Sequence, residues 1–155
     1  MSDVYAFQLM SRTRQKILKH LESLPEAKRN VVPAGFNNSI HWQLGHVVTL
    51  ADLIIYGIAG KPIPLPEGYT AFFGPGTKPA DWVGEPPSWE ELMQLFNEQP
   101  SRLRETFSGI LDEPVAKKDN FGQAETIGEL IHLSNGHESS HEGMINALVK
   151  ILKQQ

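Results

Sequence analysis

Apolar residues return at three- and four-residue intervals through four stretches of this chain, and each stretch carries its own start or stop signal. In residues 2–24 the apolar positions are Phe7, Met10, Ile17, Leu18, Leu21 and Leu24, and Pro25 ends the run. A second run follows Ser39, whose side-chain oxygen suits a helix N-cap, and continues to Ile58 with Gly60 as its stop. The third opens at Ser88 with Glu91 three residues later, a reciprocal capping box, and places Leu92, Phe96, Leu103, Phe107 and Ile110 on one face. That register survives Pro100, which predicts one kinked helix rather than two independent ones. Thr126 and Glu129 form a second capping box, and a fourth helix runs on towards Leu152.

The connectors differ greatly in length. Residues 61–87 are dense in Pro and Gly, which argues against any regular element there, while Tyr69, Phe72, Phe73 and Trp82 predict an ordered flap covering one end of the molecule. A second loop spans 112–125. No stretch alternates with period two for long enough to make a sheet, and no repeat, low-complexity tract or second domain is visible. The expected fold is therefore all-α: one domain over residues 1–155, a four-helix bundle with long crossover loops.

Six histidines are present, and a helical wheel sorts them by face. On the last helix His137 and His141 fall in the apolar arc of Leu130, Leu133, Met144, Leu148 and Ile151, whereas His132 lies opposite with Lys150. On the second helix His46 is flanked by Trp42, Leu50 and Leu53. His41 shares a narrow polar stripe with Gly45 and Asp52 and is expected to point outward. His20, near the end of the first helix, reads as a surface residue. Histidines at i and i+4 lean the same way one turn apart, so both imidazoles reach one ion, and His46 from a neighbouring helix makes three neutral nitrogen ligands. Three such ligands leave a coordination position open. A single buried histidine is more often satisfied by hydrogen bonds alone, but two on one apolar face favour a shared ion. The second position of the pair lacks the Glu of a His-Glu-x-x-His zinc protease.

Arg14 stands in the apolar arc of the first helix. Either it anchors a substrate carboxylate or Glu138, or its stem covers apolar surface while its head reaches water at a helix seam, the commoner arrangement. Glu138 and Glu142 follow their histidines directly; Glu138 lies nearer the apolar arc and is the better acid/base candidate, although a solvated face is the usual fate of such residues. Trp42 joins the four flap aromatics as a possible wall above the ion.

Composition narrows the chemistry. The chain of 155 residues has no cysteine, so the protein supplies no disulfide, thiolate ligand or thiol nucleophile. Its 14 Lys and Arg against 18 Asp and Glu, net charge −4, offer no basic footprint for nucleic acid. The N-terminal stretch has neither the basic start and apolar run of a signal peptide nor a segment long enough to span a bilayer, so a cytoplasmic protein with small-molecule partners and no membrane attachment is expected.

The segments NNSIHWQLGHVV and HESSHEGMINAL, with the Gly- and Pro-rich region between them, resemble the DinB-like (YfiT-like) superfamily in the same order over essentially the whole chain. The resemblance implies a four-helix bundle, often dimeric, with zinc or nickel on three histidines, here His46, His137 and His141, and with Gly143 closing the motif. It further implies relatedness to bacillithiol and mycothiol S-transferases, in which the metal activates a low-molecular-weight thiol. Two departures stand out: Glu142 occupies a position that is basic or small in many members, and Gly136 is expected to interrupt the helix before the first ligand.

The leading expectation is thus a divalent-metal-dependent transferase joining a low-molecular-weight thiol to a small electrophile, active in detoxification or stress response, with Glu138 and Arg14 as catalytic candidates and a homodimer as the assembly. Hydrolysis by a metal-activated water is the second enzymatic reading, and a non-catalytic metal- or small-molecule-binding bundle the third. An open site beside a cavity favours an enzyme; a site closed by a fourth protein ligand favours a structural role.

Overall fold

Four long helices and one short one make up the computed structural model, which describes residues 3–155: α1 (Asp3–Leu21), α2 (Ile40–Ala59), α3 (Tyr69–Phe73), α4 (Trp89–Phe107) and α5 (Ile127–Gln154). The start expected at Ser2 lies outside the described residues. α1 stops one turn before Leu24, and a short 3-10 turn at Glu26–Lys28 follows Pro25. The local signals act as anticipated elsewhere. The Ser39 hydroxyl accepts the Trp42 N–H, Gly60 ends α2 at φ 76°, and both capping boxes, Ser88 with Glu91 and Thr126 with Glu129, are formed in both directions. α4 passes through Pro100 as one helix, and Ile110 lies beyond its end.

Three expectations need correction. The 61–87 segment holds a regular element after all, the five-residue α3, because Phe73 inserts into the core and fixes one helical turn around it. Gly136 does not interrupt α5, which is continuous for 28 residues; tertiary packing offsets the propensity of one glycine, about 1 kcal/mol. Met144, placed in the apolar arc, is 40% exposed, since no neighbouring element covers that side of α5.

α1 packs most extensively against α5, while α2 meets α5, α3 and α4. This surrounds α2, and 18 of its 20 residues are buried. Among the described residues it is the one helix long and apolar enough to cross a membrane, but here it is the core helix of a bundle. Apolar packing divides into two clusters. One gathers Phe7, Met10, Leu103, Phe107 and Leu130; the other gathers Ile17, Ile40, Phe96, Ile145 and Leu148. Between them on α1, α4 and α5 lie Arg14, Gln99 and residues 134–141, so a polar belt crosses the middle of the bundle.

Candidate metal centre

α2 and α5 bring His46, His137 and His141 together in this belt. The Nε2 atom of His137 lies 3.2 Å from that of His46 and 3.1 Å from that of His141. Each of the other two rings is oriented from behind. His46 Nδ1 donates to the Phe73 carbonyl at 2.7 Å, and His141 Nδ1 donates to Gln43 Oε1 at 2.5 Å; Gln43 Nε2 in turn donates to Asn38 Oδ1 at 2.8 Å. Spending the Nδ1 proton backward leaves the Nε2 lone pair facing forward, the tautomer a metal ligand requires. His137 Nδ1 is buried with no partner.

The flap completes this arrangement. Trp42 stacks on His46, with centroids 4.5 Å apart and 14° between planes, and its indole N–H reaches Thr77 in the flap at 3.0 Å. Gly45 is essential to the fit: a Cβ there would overlap the Phe73 ring, so only glycine lets α3 settle on α2 and aim its carbonyl at His46. Trp82 Nε1 donates to the Phe72 carbonyl at 2.8 Å, fastening the flap to itself. Of the five aromatics expected above the ion, Trp42 and Phe73 touch the histidines; Tyr69 and Phe73 are core residues, and Phe72 and Trp82 pack edge to face on each other.

Burial governs the protonation of the cluster. It pushes His46 down to about 4, opposed by the hydrogen bond to Phe73 and assisted by His137. Burial, with the neighbouring His137 and His46, pushes His141 down to about 3, and burial lowers His137 as well. The three rings are therefore neutral near pH 7, two of them with lone pairs converging on the third, a donor set that fits a cation. Imidazoles each about 2.0–2.1 Å from one ion leave neighbouring nitrogens roughly 2.9–3.4 Å apart, depending on coordination angle, and the two edges that meet at His137 fall in that interval. Among the described residues no fourth His, Asp or Glu joins the group. His137, but neither His46 nor His141, lines a cavity of about 870 Å³ between α2, α5 and residues 121–125.

Arg14 and Glu138 lie in the core beside the histidines. Arg14 is 4% exposed and Glu138 fully buried, which corrects the solvent-seam arrangement for the arginine and the solvated face for the glutamate. Arg14 Nε and Nη2 donate to the two Glu138 oxygens at 2.7 Å, Nη1 donates to the Phe96 carbonyl, and Nη2 also donates to Gln99 Oε1. Gln99 Nε2 donates to the Val48 carbonyl. The network ties α1, α4 and α5 to α2, and neither Arg14 nor Glu138 lines the 870 Å³ cavity.

His132 is exposed, as its wheel position implied. His20 is half-buried and donates to Glu142 at 2.6 Å. The outward orientation of His41 is overturned: the ring is 5% exposed, donates from Nε2 to the Pro87 carbonyl and meets Asn30 Oδ1 with Nδ1, both at 2.9 Å, between Phe73, Trp82 and Trp89. A polar stripe on α2 predicts solvent only when one side of the helix is free, and here the flap covers it. Gln43 and the Phe73 carbonyl were not foreseen. Gln43, three residues before His46 on the same helix face, was the one available signal.

The sequence pattern of the DinB superfamily matches residues 9–145. The chain belongs to the DinB superfamily. Its fold is also that of a conserved protein of Enterococcus faecalis known from a crystal structure, at 17% identity and a TM-score of 0.66, covering 100% of this chain and 99% of that one. No protein in a comparison with curated sequences is significantly similar. This DinB superfamily member is thus a helical bundle with a His46, His137 and His141 triad that could bind a metal.

Proposed function

We propose that this DinB superfamily member is a divalent-metal-dependent transferase that joins a low-molecular-weight thiol to a small electrophile, with zinc or nickel on His46, His137 and His141. The observation that supports it is the combination of three convergent, back-anchored imidazoles with no fourth protein ligand among the described residues and a cavity at His137. A divalent ion so held supplies uncompensated positive charge, which lowers the pKa of a thiol beside it.

The chain's own residues do the rest. Phe73 and Gln43 fix the tautomers of His46 and His141, and Trp42 shields the His46 face from water. Arg14 and Glu138 act as positioning residues, holding α1 and α4 to the helix that carries two ligands. In the transfer the thiol proton leaves to solvent, sulfur forms the new S–C bond, and the group displaced from carbon departs with the electron pair of the bond that breaks. The absence of cysteine agrees with a thiol that arrives from outside.

Elemental analysis followed by conjugation assays tests this reading. We expect one equivalent of metal per chain, lost in His137→Ala with His141→Ala and kept in His132→Ala, and conjugation that needs both metal and added thiol. Equal conjugation rates for chelated and metal-loaded protein across a panel of thiols and electrophiles would refute it, as would hydrolysis by loaded protein without any thiol.

A further inference from the structure

The cavity at His137 differs in character from one end to the other. Its walls are apolar, with Leu50 and Ile54 from α2 and Leu133 from α5. Gly136 forms part of the lining one residue before the ligand His137, and a Cβ there would meet nothing within 4 Å, so the missing side chain leaves room rather than relieving a clash. Phe121 also lines the cavity and is 74% exposed, a large apolar ring left in water. Glu125, Glu129 and His132 belong to the lining as well, Glu129 and His132 from the part of α5 that precedes Leu133. No Lys or Arg is among the lining residues. Glu129 is fixed in place because its carboxylate accepts the backbone N–H groups of Glu125 and Thr126, while Glu125 is exposed. Glu129 stands eight residues along α5 from His137, about 12 Å at the rise of an α-helix.

We propose that this cavity is the site of the second substrate, and that the substrate is an elongated molecule with an apolar body and a cationic amine at the end remote from the histidines. The inference rests on the transferase reading above and adds a substrate class to it. The volume suits a small organic molecule. An apolar body gains by leaving water against Leu50, Ile54, Leu133 and Phe121. Two carboxylates with no basic residue between them favour a cation and repel an anion, and the distance to His137 sets the length the body must span.

The test uses metal-free protein and no thiol, so that its failure is separate from failure of the transferase reading. Octylamine, 1-octanol and octanoate are titrated calorimetrically at equal ionic strength, and amide shifts of Gly136 and Phe121 are followed by NMR. We expect octylamine to bind more tightly than octanoate by about fivefold or more, with octanol between them, and the preference to weaken with added salt. Glu129→Gln keeps the capping hydrogen bonds while removing the charge, and together with Glu125→Gln it should level the three affinities. Gly136→Leu, a helix-favouring change that fills the cavity, should lose octylamine binding and still take up metal. Octanoate binding as tightly as octylamine, or octylamine binding unchanged in Gly136→Leu, would overturn the proposal. So would a dimer that dissociates as octylamine is added, because a second copy of the chain would then be the occupant.

Discussion

His137 and Glu138 are neighbours in sequence, and each belongs to a polar cluster in the middle of an apolar bundle, yet the two clusters solve burial in opposite ways. Around Glu138 the charges are matched within the protein: every nitrogen of Arg14, both carboxylate oxygens and both ends of the Gln99 amide have partners. Around His137 three nitrogens converge, two of them with lone pairs pointing at the third ring, and the Nδ1 of His137 has no partner. A closed cluster serves the fold, whereas the convergent histidines are a donor set that could hold a cation.

The largest effect should come from opening the closed cluster. Arg14→Leu strands a buried carboxylate, and we expect about 3–5 kcal/mol of lost stability in urea unfolding of the metal-free protein. Adding Glu138→Leu should recover most of it, since a well-packed apolar pair replaces a buried ion pair at little net change. If the double variant is as unstable as the single one, the network does more than neutralise itself.

Weakening the support of the open cluster should have a smaller effect, and on a different observable. Gln43→Leu removes the acceptor for His141 Nδ1 without touching a ligand, and metal affinity should fall about 10–100-fold while the unfolding midpoint of the metal-free protein moves little. Equal affinity for variant and parent in a competition titration with a chelator would show that the ring needs no support from behind.

Legibility in the sequence followed the range of the interaction concerned. Caps at Ser39, Ser88 and Thr126 depend on residues within four positions, so their spelling alone announces them. The pair His137 and His141 was readable for the same reason, being one turn of one helix. His41 and Met144 were misplaced because a wheel describes a helix in isolation: it cannot say that α2 is covered on every side or that nothing covers α5 at Met144, nor could it choose, of the two arrangements left open for Arg14, the pairing with Glu138 that forms. The role of Phe73 was hidden more deeply, since a backbone carbonyl leaves no mark in the identity of its residue.

The smallest effect is a pH dependence that should be nearly missing. The folded, metal-free protein holds His46 at about 4 and His141 at about 3, so protons compete weakly for these two above pH 5, and burial makes them compete less than usual for His137. Three ordinary imidazoles of pKa about 6.5 would lose about a thousandfold in metal affinity between pH 7.5 and 5.5, whereas here the loss should stay below about tenfold. Protonation favours the metal-free form, so any change must run towards weaker binding as pH falls. Potentiometric titration of metal uptake at fixed ionic strength gives the answer, and a steep fall across that interval would mean that water reaches the rings freely.

The close packing of α1 against α5 bears on how the molecule is made. During synthesis α1 leaves the ribosome before α5 and must wait through more than a hundred residues for this principal neighbour. His46 waits 91 residues for His137. Neither half of the pairing can be rehearsed early, so the bundle and the histidine triad are completed in a single late event, and a nascent chain stopped before α5 has His46 but neither His137 nor His141.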